Sequence, residues 1–179
     1  MRKIILYIAM SLDGYIADEK GGVDWLVGEK IAEFPNESYR QFISRIDTII
    51  MGYRTYHQII TELSKDKWYY QGYKSYILTH QNIFEYRDDI LFRNEDIQHL
   101  LLQLCNEEGK DIWICGGADI VHQCLQYDLI DEFYITIIPT LLGKGIPLFQ
   151  CFDKSIPLQL VSHTDDNGMI ELVYKKRLK

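Results

Sequence analysis

Two adjacent glycines, Gly116 and Gly117, sit where a short apolar run gives way to a helical pattern, and no other feature narrows the fold as much. The segment Asp111-Ile-Trp-Ile-Cys-Gly-Gly-Ala-Asp-Ile-Val-His-Gln-Cys-Leu-Gln126 reads as a buried strand over Ile112–Cys115, a turn, and a helix from Ala118 to about Gln126. Without a Cβ at either glycine the backbone can turn sharply and approach a ligand closely. The helix start then offers unpaired N–H groups to an anion such as the pyrophosphate of a dinucleotide. A plain tight turn uses the same pair, so two glycines alone leave both readings open.

The rest of the chain alternates strands with helices. Lys3–Met10, Asp47–Met51, Ser75–Thr79, Ile90–Phe92 and Glu132–Ile138 read as strands, several of them continuous β-branched runs of the kind buried on both faces. A helix opens at Pro35-Asn36-Glu37 with Tyr39, Phe42, Ile43 and Ile46 on one stripe. A second runs from Arg54-Thr55 to about Leu63, and a third from Asp96 to Glu108, with Ile97, Leu100, Leu101 and Leu104 inward. Ser11–Asp18 reads as a loop and Lys65–Lys74 as a polar, aromatic surface connection. In the tail, Gln159–His163 and Met169–Lys176 flank Asp165-Asp166-Asn167-Gly168, a hairpin turn. The expectation is an α/β fold in one domain spanning residues 1–179: a mostly parallel sheet flanked by helices, with an antiparallel hairpin at its C-terminal edge.

Composition removes several functions. A net charge of −7, from 26 acidic and 19 basic residues with no basic stripe, argues against nucleic acid as a partner. No apolar run reaches the roughly 18 residues of a membrane span, and Met1-Arg2-Lys3-Ile4 enters a strand with no signal-peptide pattern, so the expected place is the cytoplasm. Cys105, Cys115, Cys124 and Cys151 are dispersed, as reduced thiols of a cytosolic protein are. No His or Cys spacing suits a metal, and none is expected.

Four motifs then fall in one order: Ile8-Ala-Met-Ser-Leu-Asp-Gly-Tyr-Ile-Ala17, Ile50-Met-Gly-Tyr-Arg-Thr-Tyr56, Ile114-Cys-Gly-Gly-Ala118 and Ile138-Pro-Thr-Leu-Leu-Gly-Lys-Gly-Ile-Pro-Leu-Phe149. Together they resemble the dihydrofolate reductase-like superfamily, in the branch of the riboflavin-biosynthesis reductase (RibD C-terminal) domain. The resemblance implies an NADPH-dependent reductase of a small heterocycle, whose nearest family reaction is reduction of 5-amino-6-(5-phosphoribosylamino)uracil. It implies that Gly116 and Gly117 are joined by a cis peptide beside the nicotinamide and pyrophosphate, with Cys115 on the wall. Ala118, Asp119 and Ile120 would present the helix-start N–H groups. Gly52 and Thr55 would hold a phosphate at the other helix, Arg54 would take the 2′-phosphate, and Thr79 and His80 would flank it or the adenine. Ala9 and Met10 would lie near the nicotinamide. Tyr53 stands where many dihydrofolate reductases have a cation, and Tyr15 where many riboflavin-pathway reductases have a lysine, which favours a stand-alone relative with an altered substrate.

On the substrate side Asp13 is the first catalytic candidate, as acceptor-orienting or proton-relaying group; Asp-Gly pairs also cap turns. Glu37 is the second, by its likeness to the helix-borne carboxylate that anchors a pterin. A glutamate in a first helical turn also simply suits the dipole. Thr136 occupies the position that supports that carboxylate in the superfamily. Lys144 is a loop cation that could meet an anionic substrate. A pterin reductase and a non-catalytic dinucleotide-binding oligomer remain alternatives. The apolar segment Thr140–Phe152, with the late strands, suggests a homodimer.

Overall fold

Strand residues point alternately to opposite faces, and in this chain both faces are apolar, so the sheet must be covered on both sides. The structure, a computed structural model, describes residues 1–30, 37–83 and 87–177. Along the chain run β1 (Ile4–Ser11), β2 (Tyr15–Ala17), α1 (Glu37–Ser44), β3 (Ile46–Gly52) and α2 (Tyr53–Gln58), which continues into a π-helical turn (Ile59–Leu63). Then follow β4 (Lys74–Leu78), β5 (Ile90–Arg93), α3 (Ile97–Asn106), β6 (Asp111–Gly116), α4 (Ala118–Gln126), β7 (Glu132–Ile138), β8 (Ile146–Pro147), β9 (Leu158–Asp166) and β10 (Met169–Lys176). The main sheet has eight strands in the order β5-β4-β3-β6-β1-β7-β10-β9. From β5 to β7 every neighbour is parallel, and β10 and β9 add an antiparallel edge. Asn167 and Gly168 turn that hairpin at φ of 53° and 75°, the pattern a two-residue hairpin loop requires.

Alternation divides the core in two. Ile4, Leu6, Ile50, Ile112 and Ile114 point to the face covered by Leu100, Leu101 and Leu104 of α3 and Val121, Cys124 and Leu125 of α4. Ile5, Ile49, Met51, Ile77 and Trp113 point to the face covered by Phe42 of α1 and Tyr56 and Ile59 of the second helical segment. That second face is aromatic: Phe42 stacks on Tyr7 with centroids 4.3 Å apart, and Trp113 meets Phe42 and Tyr70 edge-on at 5.3 and 5.2 Å. Each such ring contributes about 1.5–3 kcal/mol by leaving water.

Three segments depart from the sequence-based expectation. Ser11–Asp18 is not all loop, because Tyr15–Ala17 pairs with Ile146–Pro147 as a two-stranded sheet beside the main one. The connection over Lys65–Lys74 is not all surface: Trp68 is 3% exposed, packed against Tyr56 and Tyr70. The helix start at Pro35-Asn36 lies outside the described residues, and α1 is described from Glu37.

The end of the sheet away from the glycine pair is closed by Arg2. Its guanidinium is buried and donates to the carbonyls of Lys110 (2.6 Å) and Leu104 (3.3 Å), to Thr48 Oγ1 (2.5 Å) and to Asp47. Removing it strands these acceptors, so Arg2→Ala is expected to cost about 2 kcal/mol in urea unfolding, discounted from a fully buried pair because Asp47 is partly wet. Lys3→Ala, which breaks an exposed pair with Glu132, should cost less than about 1 kcal/mol. Equal losses would show that the Arg2 network is worth no more than a surface ion pair.

Candidate active site

The carboxyl ends of parallel strands leave a crevice where helices begin, and in this sheet β3 and β6 are neighbours that both run into helices there. Gly116 ends β6 at φ 129°, the Gly116–Gly117 peptide is cis, and Gly117 forms the extended N-cap of α4. Its carbonyl accepts the N–H groups of Ile120 (3.0 Å) and Val121 (3.1 Å), so the N–H groups of Ala118 and Asp119 lie ahead of the first intrahelical bonds. Gly52 is the extended N-cap of α2 and likewise has no side chain to cap it.

The two helix starts approach closely. A Cβ on Gly117 would stand 3.3 Å from Thr55 Oγ1, and one on Gly52 would stand 3.4 Å from Ile120 Cγ1. The cleft between them is therefore lined by bare backbone, a hydroxyl and N–H groups, a donor set that suits a phosphate. Arg54 stands exposed beside it and, among the described residues, makes no hydrogen bond or ion pair that would hold it elsewhere. Asp119 is exposed, with its carboxylate held by Gln150 Nε2 at 2.9 Å. Thr79 and His80 follow β4 at the same edge of the sheet. Thr79 Oγ1 accepts from its own turn at Gln81 N (3.1 Å), and His80 Nδ1 pairs with Asn94 (2.8 Å).

Ala9 and Met10 divide between the two faces. Met10 packs into the α3–α4 side, while Ala9 points to the aromatic side, in register with Thr136 of β7 and through it with Glu171 of β10. Cys115 lies on that side too, its thiol 3.7 Å from the Tyr70 hydroxyl. Burial pushes the thiol up to about 11, so it forms a wall and is no thiolate nucleophile at neutral pH.

The two catalytic candidates are placed apart, with no hydrogen bond joining them. Asp13 is exposed and its carboxylate is engaged: it accepts Ser11 Oγ at 2.6 Å, Leu142 N at 3.1 Å and Gly143 N at 2.7 Å. These bonds, the serine first, hold it below the usual carboxylate range. Asp13 thus clasps the loop after β1 to the loop after β7. Glu37 is exposed at the start of α1, 3.3 Å from the Gln41 amide. Lys144 reaches back at 2.7 Å to Glu19, in the loop after β2, a second link to the loop after β7. Trp25 donates to its own turn at Gly22 O (3.2 Å).

The carboxylate that the structure does bury here is one that sequence patterns missed. Glu171, 5% exposed, accepts the hydroxyls of Tyr7 (2.8 Å) and Ser38. Burial first, and then this carboxylate, drive the Tyr7 phenol well above its ordinary range. The only signal in the sequence was an acid sharing strand parity with the inward Val173.

An eight-stranded, mostly parallel sheet with helices on both faces, a terminal antiparallel hairpin and a Gly-Gly turn at the cleft defines a dihydrofolate reductase-like protein. Within that class the chain belongs to the RibD C-terminal domain family, whose model matches residues 2–170. It is 37% identical over 176 residues to the uncharacterised protein YwjB of Bacillus subtilis, covering 97% of both chains. Among solved structures, it superposes with a TM-score of 0.86 on a Shewanella sp. PV-4 protein assigned only provisionally to riboflavin biosynthesis. The two are 27% identical, and the match covers 98% of this chain and 99% of that one. A Thermotoga maritima diaminohydroxyphosphoribosylaminopyrimidine deaminase/5-amino-6-(5-phosphoribosylamino)uracil reductase shares the fold at TM-score 0.71 and 15% identity. The match covers 98% of this chain and 57% of that longer one. Enterococcus faecalis dihydrofolate reductase, complexed with NADP(H), shares it at TM-score 0.66 and 16% identity, over 97% of this chain and 96% of that one.

The Asp13 clasp has a defined pH response. A depressed carboxylate contributes protection above its unfolded range and loses it as pH falls through the folded value. Hydrogen-exchange protection factors at the Leu142 and Gly143 amides should therefore be high at neutral pH, fall in acid, and be about tenfold lower in Asp13→Asn at neutral pH. Unchanged exchange in the variant would mean that the clasp holds nothing.

Proposed function

We propose that the protein is an NADPH-dependent reductase of a small heterocyclic substrate, related in chemistry to the reduction of 5-amino-6-(5-phosphoribosylamino)uracil. The observation that carries this reading is the convergence of the Gly116–Gly117 turn with the two helix starts, where a Cβ on Gly117 would stand 3.3 Å from Thr55 Oγ1. The donor set at the two helix starts suits the phosphates of a dinucleotide. In this reading the N–H groups of Ala118 and Asp119 and the Thr55 hydroxyl hold the pyrophosphate, with Gly52, Gly117 and Ile120 shaping the floor. Arg54 takes the 2′-phosphate bidentately, and Thr79 and His80 bound that end of the cleft. Ala9 leaves room for a flat ring at the end of β1, and Cys115 closes the wall beside it. The bound cofactor supplies a hydride to a substrate carbon stacked against it. Asp13 orients the acceptor through the loop that it clasps rather than by touching the reacting atoms, and Glu37 is the reserve carboxylate on α1.

Arg54→Ala should weaken NADPH by about 1.5–3 kcal/mol and NADH far less, as read by fluorescence titration. Gly117→Val should abolish binding of both by pushing into Thr55. Equal losses for the two cofactors in Arg54→Ala would remove that residue from the 2′-phosphate.

We further propose a homodimer. Leu148 is fully buried and Phe152 packs on the core, so the segment after β7 completes the monomer in part, yet Leu141 is 70% and Phe149 44% exposed. The edge strand β9 and its partner β10 also expose Leu160, Val161 and Ile170. Such a patch favours a two-fold partner. Light scattering at micromolar concentration should give twice the chain mass of 21.1 kDa, and the monomer mass would overturn the dimer.

A further inference from the structure

Asp119 is the second residue of α4, so its carboxylate stands beside the same free N–H groups that the cleft offers to a phosphate. A helix start carries partial positive charge, and every anion near it competes for that charge. A carboxylate at this position either turns out to solvent or folds against the N–H groups of its own first turn. Asp119 is exposed, and among the described residues one side chain holds its carboxylate: Gln150 donates from Nε2 to Oδ1 at 2.9 Å.

Gln150 does not reach in from a free loop. The segment after β8 lies along α4 as a strap pinned at both ends. Gln150 holds the first turn, and Lys154 Nζ donates at 2.8 Å to the carbonyl of Gln126, the last residue of the helix. Between them Phe152 packs on the core cluster that α4 itself helps to build. The two lengths agree: from Asp119 to Gln126 the helix rises about 10 Å, and from Gln150 to Lys154 an extended chain spans about 13 Å. The fold therefore delivers the Gln150 amide to Asp119. That amide is neutral, so Asp119 keeps its full negative charge at the edge of the anion cleft.

We propose that Gln150 is a positioning residue of the cofactor cleft: it holds the Asp119 carboxylate off the N–H groups of Ala118 and Asp119 and so keeps the start of α4 open to a phosphate. Two anions, one built into the chain and one brought by the ligand, compete for one positive helix end, and Gln150 biases that competition toward the ligand. This role rests on the reading of the cleft as a dinucleotide site. Asp119 meanwhile stabilises the helix start as any first-turn acid does.

A double-mutant cycle tests this. Wild type, Gln150→Ala, Asp119→Asn and the double variant are each titrated with NADPH by fluorescence at low and high salt, and their thermal midpoints are recorded. A charge beside a helix start changes anion affinity by up to about fivefold. Gln150→Ala should therefore bind NADPH about three- to fivefold more weakly than wild type at low salt, and the gap should close at about 0.5 M salt, where charges are screened within a few ångströms. Asp119→Asn should bind at least as tightly as wild type with a slightly lower thermal midpoint, and the double variant should match it in affinity. Equal affinity of wild type and Gln150→Ala overturns the proposal. So does a double variant that is weaker than Asp119→Asn by the same factor as Gln150→Ala is weaker than wild type, because Gln150 would then act by holding the strap and not by holding a charge. Either of these results leaves the cofactor reading standing, whereas a wild-type protein that binds no NADPH overturns that reading and this one with it.

Discussion

The two helices at the carboxyl end of this parallel sheet start side by side with a glycine at each N-cap: a Cβ on Gly52 would stand 3.4 Å from Ile120 Cγ1, and one on Gly117 would stand 3.3 Å from Thr55 Oγ1. The rest of the architecture follows from it. β3 and β6 must be neighbours, α2 and α4 must leave on opposite faces, and the two halves of the core then fall on either side of one sheet. A Cβ at Gly117 would not disturb the core at all, since its nearest neighbour is a hydroxyl at the rim.

Around that cleft the loops are fixed by polar contacts over long sequence distance. Asp13 reaches the amides of Leu142 and Gly143, Lys144 reaches Glu19, and β2 pairs with β8. These are exposed contacts, worth little one by one. Their combined effect is to hold the segment from Asp13 to Glu19 against the segment after β7 across the end of the sheet. The crevice at that end of the sheet therefore has a built rim on one flank, and on the other the strands β7 and β10 where Glu171 is buried.

Much of this was legible in the sequence, and the divisions are physical. α4, β7 and β10 have the bounds their periodicity implied, because each is a strong repeat ended by a glycine, a proline or a hairpin turn. Asp13 was visible as an Asp-Gly turn, yet the amides it binds lie some 130 positions away, and no local pattern announces them. β2 and β8 are three and two residues long, too short to show a period. Trp68 sat among lysines and read as surface, but the chain folds back and seats it on Tyr56. Glu171 escaped for a related reason: strand parity tells which residues share a face, but not that a serine on α1 and a tyrosine on β1 cover it.

The aromatic face has an optical consequence. Trp113 sits within 6.5 Å, centroid to centroid, of Tyr7, Tyr39, Phe42 and Tyr70, in a fixed and asymmetric set of mostly perpendicular rings. Rings locked in this way give near-ultraviolet circular dichroism that vanishes when packing loosens, even while helices and strands persist. Because Tyr7 belongs both to this set and to the Glu171 hydrogen bond, the protein carries its own chromophore beside the buried carboxylate. Changes at that carboxylate can be followed there separately from unfolding of the backbone.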